Sequence, residues 1–278
     1  MKKRDRVKVD SERSSISLGL KELVDYKDLF LILAYRDFRV RYAQTYLGFV
    51  WAFMQPAITL LIFIVVFGVA AKVDTKDVPY PVFAIVGMSA WSYFSFVMMQ
   101  SGNSVINAQS MIKKIYFPRL VIPLAKSLVG LVDFFIVFLM MIIVLIYYQQ
   151  PISGNIYYFP FFVFMNIVSA LAVGIWLSAL TVRYRDFQHI IPFATQFGLY
   201  ATPIAYPSDA IVGSLDPFVL IIYYLNPMAG IVEGYRLSIL GLGEINFYSY
   251  ISYGVVIMLF ISGMIYFKKV ERTMADIV

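Results

Sequence analysis

Residues 36–56 read RDFRVRYAQTYLGFVWAFMQP, and this stretch decides the fold. Arg36, Asp37, Arg39 and Arg41 fall within its first six positions. After Gln44 and Thr45 the chain turns predominantly apolar and stays so to Ala71. Upstream, Leu31, Tyr35, Phe38, Tyr42 and Tyr46 recur every three to four residues, while Asp37, Arg41 and Gln44 fall on another face. That periodicity predicts an amphipathic helix over 28–46, with arginines near anionic headgroups and aromatics dipping inward. A helix on the membrane surface therefore runs directly into one that crosses the membrane.

The rest of the chain shares this bias. It has 278 residues, 60% hydrophobic and only 14% charged. Soluble domains carry about 25% charged residues. One soluble core cannot bury so much apolar surface, so lipid must solvate much of it. Cysteine is absent, which excludes disulfides, thiol chemistry and cysteine metal sites. Residues 1–27 are polar and mixed in charge, reading as a cytoplasmic tail, disordered over its first half. They lack the apolar segment of a cleavable signal peptide.

Hydropathy predicts spans at about 47–71, 81–108, 120–148, 158–182, 190–206 and 247–267. Span one contains Gln55-Pro56, where proline removes a backbone donor and favours a kink. The second half of span two is small and polar (Gln100, Ser101, Gly102, Asn103, Ser104, Asn107). That face should meet protein or water. Span five is short and bracketed by Pro192 and Pro203. Between 207 and 246 lie two apolar pieces, PFVLIIYYL (217–225) and PMAGIVEGYRLSILGL (227–242), parted at Asn226-Pro227. Neither is long enough to span. Broken helices at membrane depth need protein or a water-filled cavity around their ends, so this region reads as a re-entrant hairpin.

The expected fold is an all-α integral membrane protein. It has six transmembrane helices, an N-terminal interface helix and a re-entrant helical hairpin between spans five and six. With both termini inside, twenty of the 23 Lys and Arg residues face the cytoplasm, and only Lys72, Lys76 and Arg236 lie outside. The positive-inside rule favours that orientation.

Membrane enzymes need clustered acids, bases or metal ligands. His189 is the only histidine, in a short inner loop beside Arg185 and Asp186. Asp133 is the one carboxylate deep within a span. Its charged insertion costs about 2.5–3.5 kcal/mol, so it needs a partner: Lys126, seven residues back, or the polar half of span two. No phosphate-binding loop is present, so ATP hydrolysis is not expected here. No catalytic residue and no metal site is expected. Glu233 and Arg236, three apart, can pair on one helix face, either to neutralise charge or as part of a gate. Tyr93, Phe94 and Phe96, with Tyr200, Tyr206, Tyr223 and Tyr224, offer aromatic faces suited to a passing sugar chain, or ordinary interfacial belts.

Four stretches then carry a resemblance: RDFRVRYAQTYLGFVWAFMQP (36–56), IKKIYFPR (112–119), RYRDFQHIIPFATQFGLYATPIAYP (183–207) and LNPMAGIVEGYR (225–236). In this order they resemble the membrane subunit of ABC-2 type polysaccharide exporters, the permeases for O-antigen, capsule and teichoic acid. The resemblance runs over about 28–270 and makes 47–278 the transmembrane domain. It implies a homodimer paired with two copies of a separate ATPase subunit, which holds the ATP and Mg. No cofactor is implied for this chain.

It further implies roles. Asp37, Arg41, Lys113, Lys114 and Tyr116 fall on the ATPase-coupling surface. Arg36, Arg39, Arg183 and Arg185 fall at the cytoplasmic entrance for a lipid-diphosphate head group, and Asp186 sits beside them. Tyr206, Asn226, Pro227, Glu233 and Arg236 fall at the outer gate. The expected cargo is a lipid-linked polysaccharide, O-antigen first, in the bacterial inner membrane. Export of teichoic acid, capsule or a small hydrophobic compound is an alternative within the family. A membrane-embedded transferase acting on lipid-linked sugar is an alternative outside it.

Overall fold

The structure is a computed structural model and describes residues 20–42, 48–208 and 216–274. The described residues are helical, without β-strands. A short α1 (Leu20–Asp25) leads into α2 (Lys27–Tyr42). The junction at 43–47, where the expected surface helix becomes the first span, lies outside the described residues, Gln44 and Tyr46 included. So do residues 1–19 of the tail and 209–215 before the hairpin.

α3 (Gly48–Phe63) carries Pro56 inside a continuous helix and is prolonged by a π-helical stretch, Ile64–Ala70. α4 (Tyr80–Gly102) is followed by two short turns of helix, α5 (Ser104–Asn107) and α6 (Gln109–Ile112). Span two therefore ends at Gly102, six residues earlier than its hydropathy suggests. Asn103 caps the break, its side-chain amide donating to the Met99 carbonyl at 3.1 Å. Then come α7 (Val121–Tyr147), α8 (Phe159–Arg183) after a 3₁₀ turn, and α9 (Phe187–Ala201). The hairpin is α10 (Pro217–Tyr224) and α11 (Ala229–Leu240), and α12 (Ser249–Glu271) follows.

Among the described residues, five stretches are long and apolar enough to cross a membrane: Val50–Ala70, Tyr80–Gly102, Val121–Tyr147, Gly154–Arg183 and Ser249–Glu271. α10 and α11 meet at 86° and count as a sixth only if taken as one span. That bend fits the re-entrant hairpin. α9, with 15 residues, is only about 22 Å long. The chain continues past it non-helically through Thr202 to Tyr206, adding the remaining reach. This segment runs antiparallel along α4: Ile191 lies against Gly102, Gly198 against the Trp91 ring and Ile204 against Gly87. It is the short fifth crossing, completed by non-helical backbone.

α4 is the central post, with 78% of its most apolar window buried, against 11% for Val50–Ala70. The polar half of span two meets protein, as its composition requires. Ser101 donates to the Pro123 carbonyl at 2.9 Å, and Thr181 donates to the Gly102 carbonyl at 2.7 Å. Both of these hydroxyls find an acceptor within the bundle.

The buried side chains form two apolar cores, one near each end of the bundle. One holds Leu33, Ala34, Ile112, Phe117, Val182 and Phe267, at the end carrying Arg119, Arg183 and Lys268. The other holds Phe63, Phe83, Phe162, Ile204, Tyr235 and Ile239, at the end carrying Lys76 and Arg236. The first is the basic end and the second the hairpin end.

Candidate functional site

At the basic end, α2 turns an unexpected face toward the bundle. Leu33, Ala34 and Tyr42 are buried, and Phe30, Asp37, Phe38 and Arg41 are half-buried. Leu31 and Tyr35, read as dipping into the membrane, lie off this contact and are exposed at 56% and 63%. The reason lies on α7, which presents Lys126 and Asp133 two turns apart. Lys126 Nζ lies 2.7 Å from Asp37 Oδ2, and Arg41 Nη2 lies 3.1 Å from Asp133 Oδ1. Tyr42 Oη donates to the same Asp133 oxygen at 2.7 Å. The Arg41 guanidinium sits 4.5 Å over the Phe96 ring of α4. Asp133 thus pairs with neither candidate read from the sequence; its partners come from α2. Burial, with Asp133 alongside, pushes the Tyr42 phenol up to about 12.

Arg36 and Arg39 face outward on α2. Arg36 bonds Asp37 at 2.8 Å, and Arg39 rests 6.0 Å over the Tyr35 ring. Arg183, Arg185, Asp186 and His189 are also exposed, around the start of α9.

Lys113, Lys114, Ile115 and Tyr116 form an exposed ledge after α6, with Ile115 60% and Tyr116 72% accessible. Buried Ile112 and Phe117 anchor it on either side, in the same apolar core as Leu33 and Ala34 of α2. Its far end is tied to the end of α12, where the Arg119 backbone N–H donates to Glu271 Oε1 at 2.7 Å and the Arg119 guanidinium to the Glu271 carbonyl. This leaves two cations beside two exposed large side chains on a loop rooted at both ends.

At the hairpin end, the apex residue Asn226 donates to Thr202 Oγ1 at 2.9 Å, and its Oδ1 caps the Met228 N–H at 2.9 Å. The Asn226 carbonyl accepts from Ser252 Oγ at 3.0 Å. Pro227 occupies the turn between α10 and α11, where its missing N–H costs no helix bond.

Arg236 on α11 is only 4% exposed. It donates to the Ile204 carbonyl at 2.7 Å and to the Tyr206 carbonyl at 3.4 Å, with its guanidinium 3.6 Å over Phe83. Tyr80 Oη donates to the intervening Ala205 carbonyl at 3.0 Å. Three successive carbonyls after α9 are therefore held by α11 and α4. Gly68 makes room for this, since a Cβ there would lie 3.0 Å from the Tyr80 ring.

Glu233 does not pair with Arg236. It accepts from Tyr224 Oη at 2.5 Å and Ser249 Oγ at 2.7 Å. The i,i+3 spacing permits the pair, but the two side chains diverge, Glu233 toward α10 and α12 and Arg236 toward α4. Both line one cleft, with Thr75, Lys76, Ser208 and Glu244. The structure thus brings Tyr206, Asn226, Glu233 and Arg236 together at the hairpin end. It keeps Lys113, Lys114 and Tyr116 at the basic end with Asp37 and Arg41.

Sequence reasoning missed Tyr80, Phe83 and Thr202, and it named Lys126 as a partner for Asp133, whereas Lys126 pairs with Asp37. Only that pairing had a signal: the seven-residue spacing of Lys126 from Asp133 complements the four-residue spacing of Asp37 and Arg41.

Residues 28–240 match the family described as ABC-2 type transporter. The chain is 27% identical over 217 residues to the O-antigen export system permease protein RfbA of Myxococcus xanthus, covering 78% of this chain and 82% of that protein. It is 28% identical over 266 residues to a Klebsiella pneumoniae O-antigen export system permease protein RfbA, covering 94% and 100%. Similarity to the Escherichia coli polysialic acid transport protein KpsM is 22% over 251 residues, covering 87% and 93%. With multiple membrane-crossing helices and a family match over most of its length, the chain belongs to the ABC-2 type transporters as a multi-pass membrane subunit.

Proposed function

We propose that this chain is the permease subunit of an ATP-driven exporter that moves a lipid-linked polysaccharide, O-antigen, across the bacterial inner membrane. The observation that carries this reading is the near end-to-end similarity to O-antigen export permeases, 94% of this chain against 100% of one of them. Two copies of the chain pair with two copies of a separate ATPase, which holds ATP and Mg. Both termini are cytoplasmic, as the distribution of Lys and Arg supports.

ATP binding in the partner drives the 113–116 ledge, and the bundle shifts between two states biased by nucleotide. The exposed arginines Arg36, Arg39, Arg183 and Arg185 attract the diphosphate head group at the inner leaflet. Arg41 serves instead as an anchor, because Asp133 and Phe96 engage its guanidinium. The exit opens when the hairpin releases the 204–206 carbonyls.

The test is deletion of the gene followed by complementation. Surface O-antigen should disappear, and lipid-linked intermediates should accumulate on the cytoplasmic side. Unchanged surface O-antigen together with loss of a capsule would favour a capsule exporter, the reading supported by similarity to KpsM. Loss of neither glycan would remove the export reading.

A further inference from the structure

The basic end contains an arrangement that the exporter reading does not require. α2 packs on α7 more extensively than on any other described element. Two ion pairs rung this contact: Asp37–Lys126 at 2.7 Å and Arg41–Asp133 at 3.1 Å. Three of the four side chains are well shielded, Asp37 at 13%, Lys126 at 17% and Asp133 at 12% exposed, and Arg41 is at 36%. Tyr42 adds a hydrogen bond to Asp133. Charges placed this far from water keep their attraction, because neither solvent nor salt screens them well. Removing one partner strands the other.

The same α7 begins directly after the ledge. Phe117, Leu120 and Val121 at its root share an apolar core with Leu33 and Ala34 of α2. Two surfaces positioned to receive a cytoplasmic partner, α2 and the 113–116 ledge, therefore converge on one helix. α7 is about 40 Å long, enough to reach from this end to the opposite one. Its far half, from Val137 to Leu145, lies in the core that contains Ile204, Tyr235 and Ile239.

We propose that Lys126 and Asp133 are positioning residues. They lock α2 to α7 as one lever, so that a push received at the basic end reaches the hairpin end through α7 instead of being lost in slippage of α2. The proposal rests on the exporter reading for the source of the push.

The test uses the full complex of this chain with its ATPase, reconstituted in vesicles, and measures glycan exported per ATP hydrolysed. Lys126→Asp and Asp133→Arg each place like charges against α2. Each should lower export per ATP about tenfold or more, while assembly and basal ATPase rate stay near wild type. The swapped pairs, Lys126→Asp with Asp37→Lys and Asp133→Arg with Arg41→Asp, should restore most of it. Asp133→Asn guards against misfolding of the reversal and should give a milder loss.

A second readout does not depend on glycan. The chain has no native cysteine, so spin labels on Leu31 of α2 and Leu128 of α7 attach to this chain at no other position; mixing labelled with excess unlabelled chain isolates the distance within one copy. That distance should stay constant with and without nucleotide in the wild type and become nucleotide-dependent in Asp133→Arg. Unchanged export per ATP in the reversals would overturn the proposal, as would a label distance that varies in the wild type. Loss of assembly without rescue by the swaps would do so too, reducing the ladder to a fold element. A wild-type complex that hydrolyses ATP and keeps the label distance constant yet moves no glycan would count against the exporter reading, and the label data would still uphold the lever.

Discussion

Arg236→Ala tests the closed exit. In the structure this side chain holds the Ile204 carbonyl at 2.7 Å, reaches the Tyr206 carbonyl at 3.4 Å and stacks on Phe83 at 3.6 Å. The short bond from a charged donor is worth about 2 kcal/mol. The 3.4 Å contact is too long to add much. A desolvated cation–π contact adds about 2 kcal/mol. Relief of guanidinium burial returns part of this, leaving a net loss of about 3 kcal/mol. That corresponds to about two orders of magnitude in the ratio of clamped to released exits. The assay is leakage of a small fluorophore from vesicles carrying the permease without its ATPase. Arg236→Ala should leak strongly, and Arg236→Lys, which keeps the charge but loses the fork, should fall between it and wild type. Equal leakage in all three, with normal membrane insertion, refutes the clamp.

Replacing Lys113 and Lys114 together by Ala should weaken ATPase binding and export while leaving thermal stability within about 0.5 kcal/mol, since both side chains are exposed; binding and melting measured side by side check this. Gly234→Ala should destabilise by about 1–3 kcal/mol, because a Cβ there would lie 2.2 Å from the Phe162 ring; a denaturation midpoint reads it. The Tyr42 phenol, raised to about 12 chiefly by burial, contributes stability fully present below about pH 10 and lost as pH rises through about 12. Tyr42→Phe, which loses the hydrogen bond to Asp133, should be less stable at neutral pH and, lacking this titration, show a shallower loss between those values, measured as melting temperature against pH.

The spans were legible because lipid-facing helices must be long and apolar, and five of the six expected crossings are such helices. The fifth was legible only as a short piece, since part of its length is non-helical backbone after Ala201. The hairpin could be read from Asn226-Pro227, which parts two apolar runs too short to span. The orientation of α2 could not be read. Apolar periodicity placed Leu31, Tyr35, Phe38 and Tyr42 on one membrane-facing stripe, but lipid-facing and protein-facing surfaces are both apolar, so hydropathy does not separate lipid from protein neighbours. Complementary charges on α7 decided it. Glu233 and Arg236 show the matching limit of spacing rules: three residues apart permits contact, but the neighbouring carbonyls and hydroxyls determine the partners.

The central claim is that this chain passes a lipid-linked glycan outward under power from a separate ATPase. The most direct measurement reconstitutes both subunits in vesicles with undecaprenyl-diphosphate-linked O-antigen on the ATPase-facing leaflet. Glycan crossing is then followed by its protection from an external glycosidase. Protection should rise with ATP and stay at background without ATP or without either subunit. Crossing that is independent of ATP, or none in an assembled, ATP-hydrolysing complex, would contradict it.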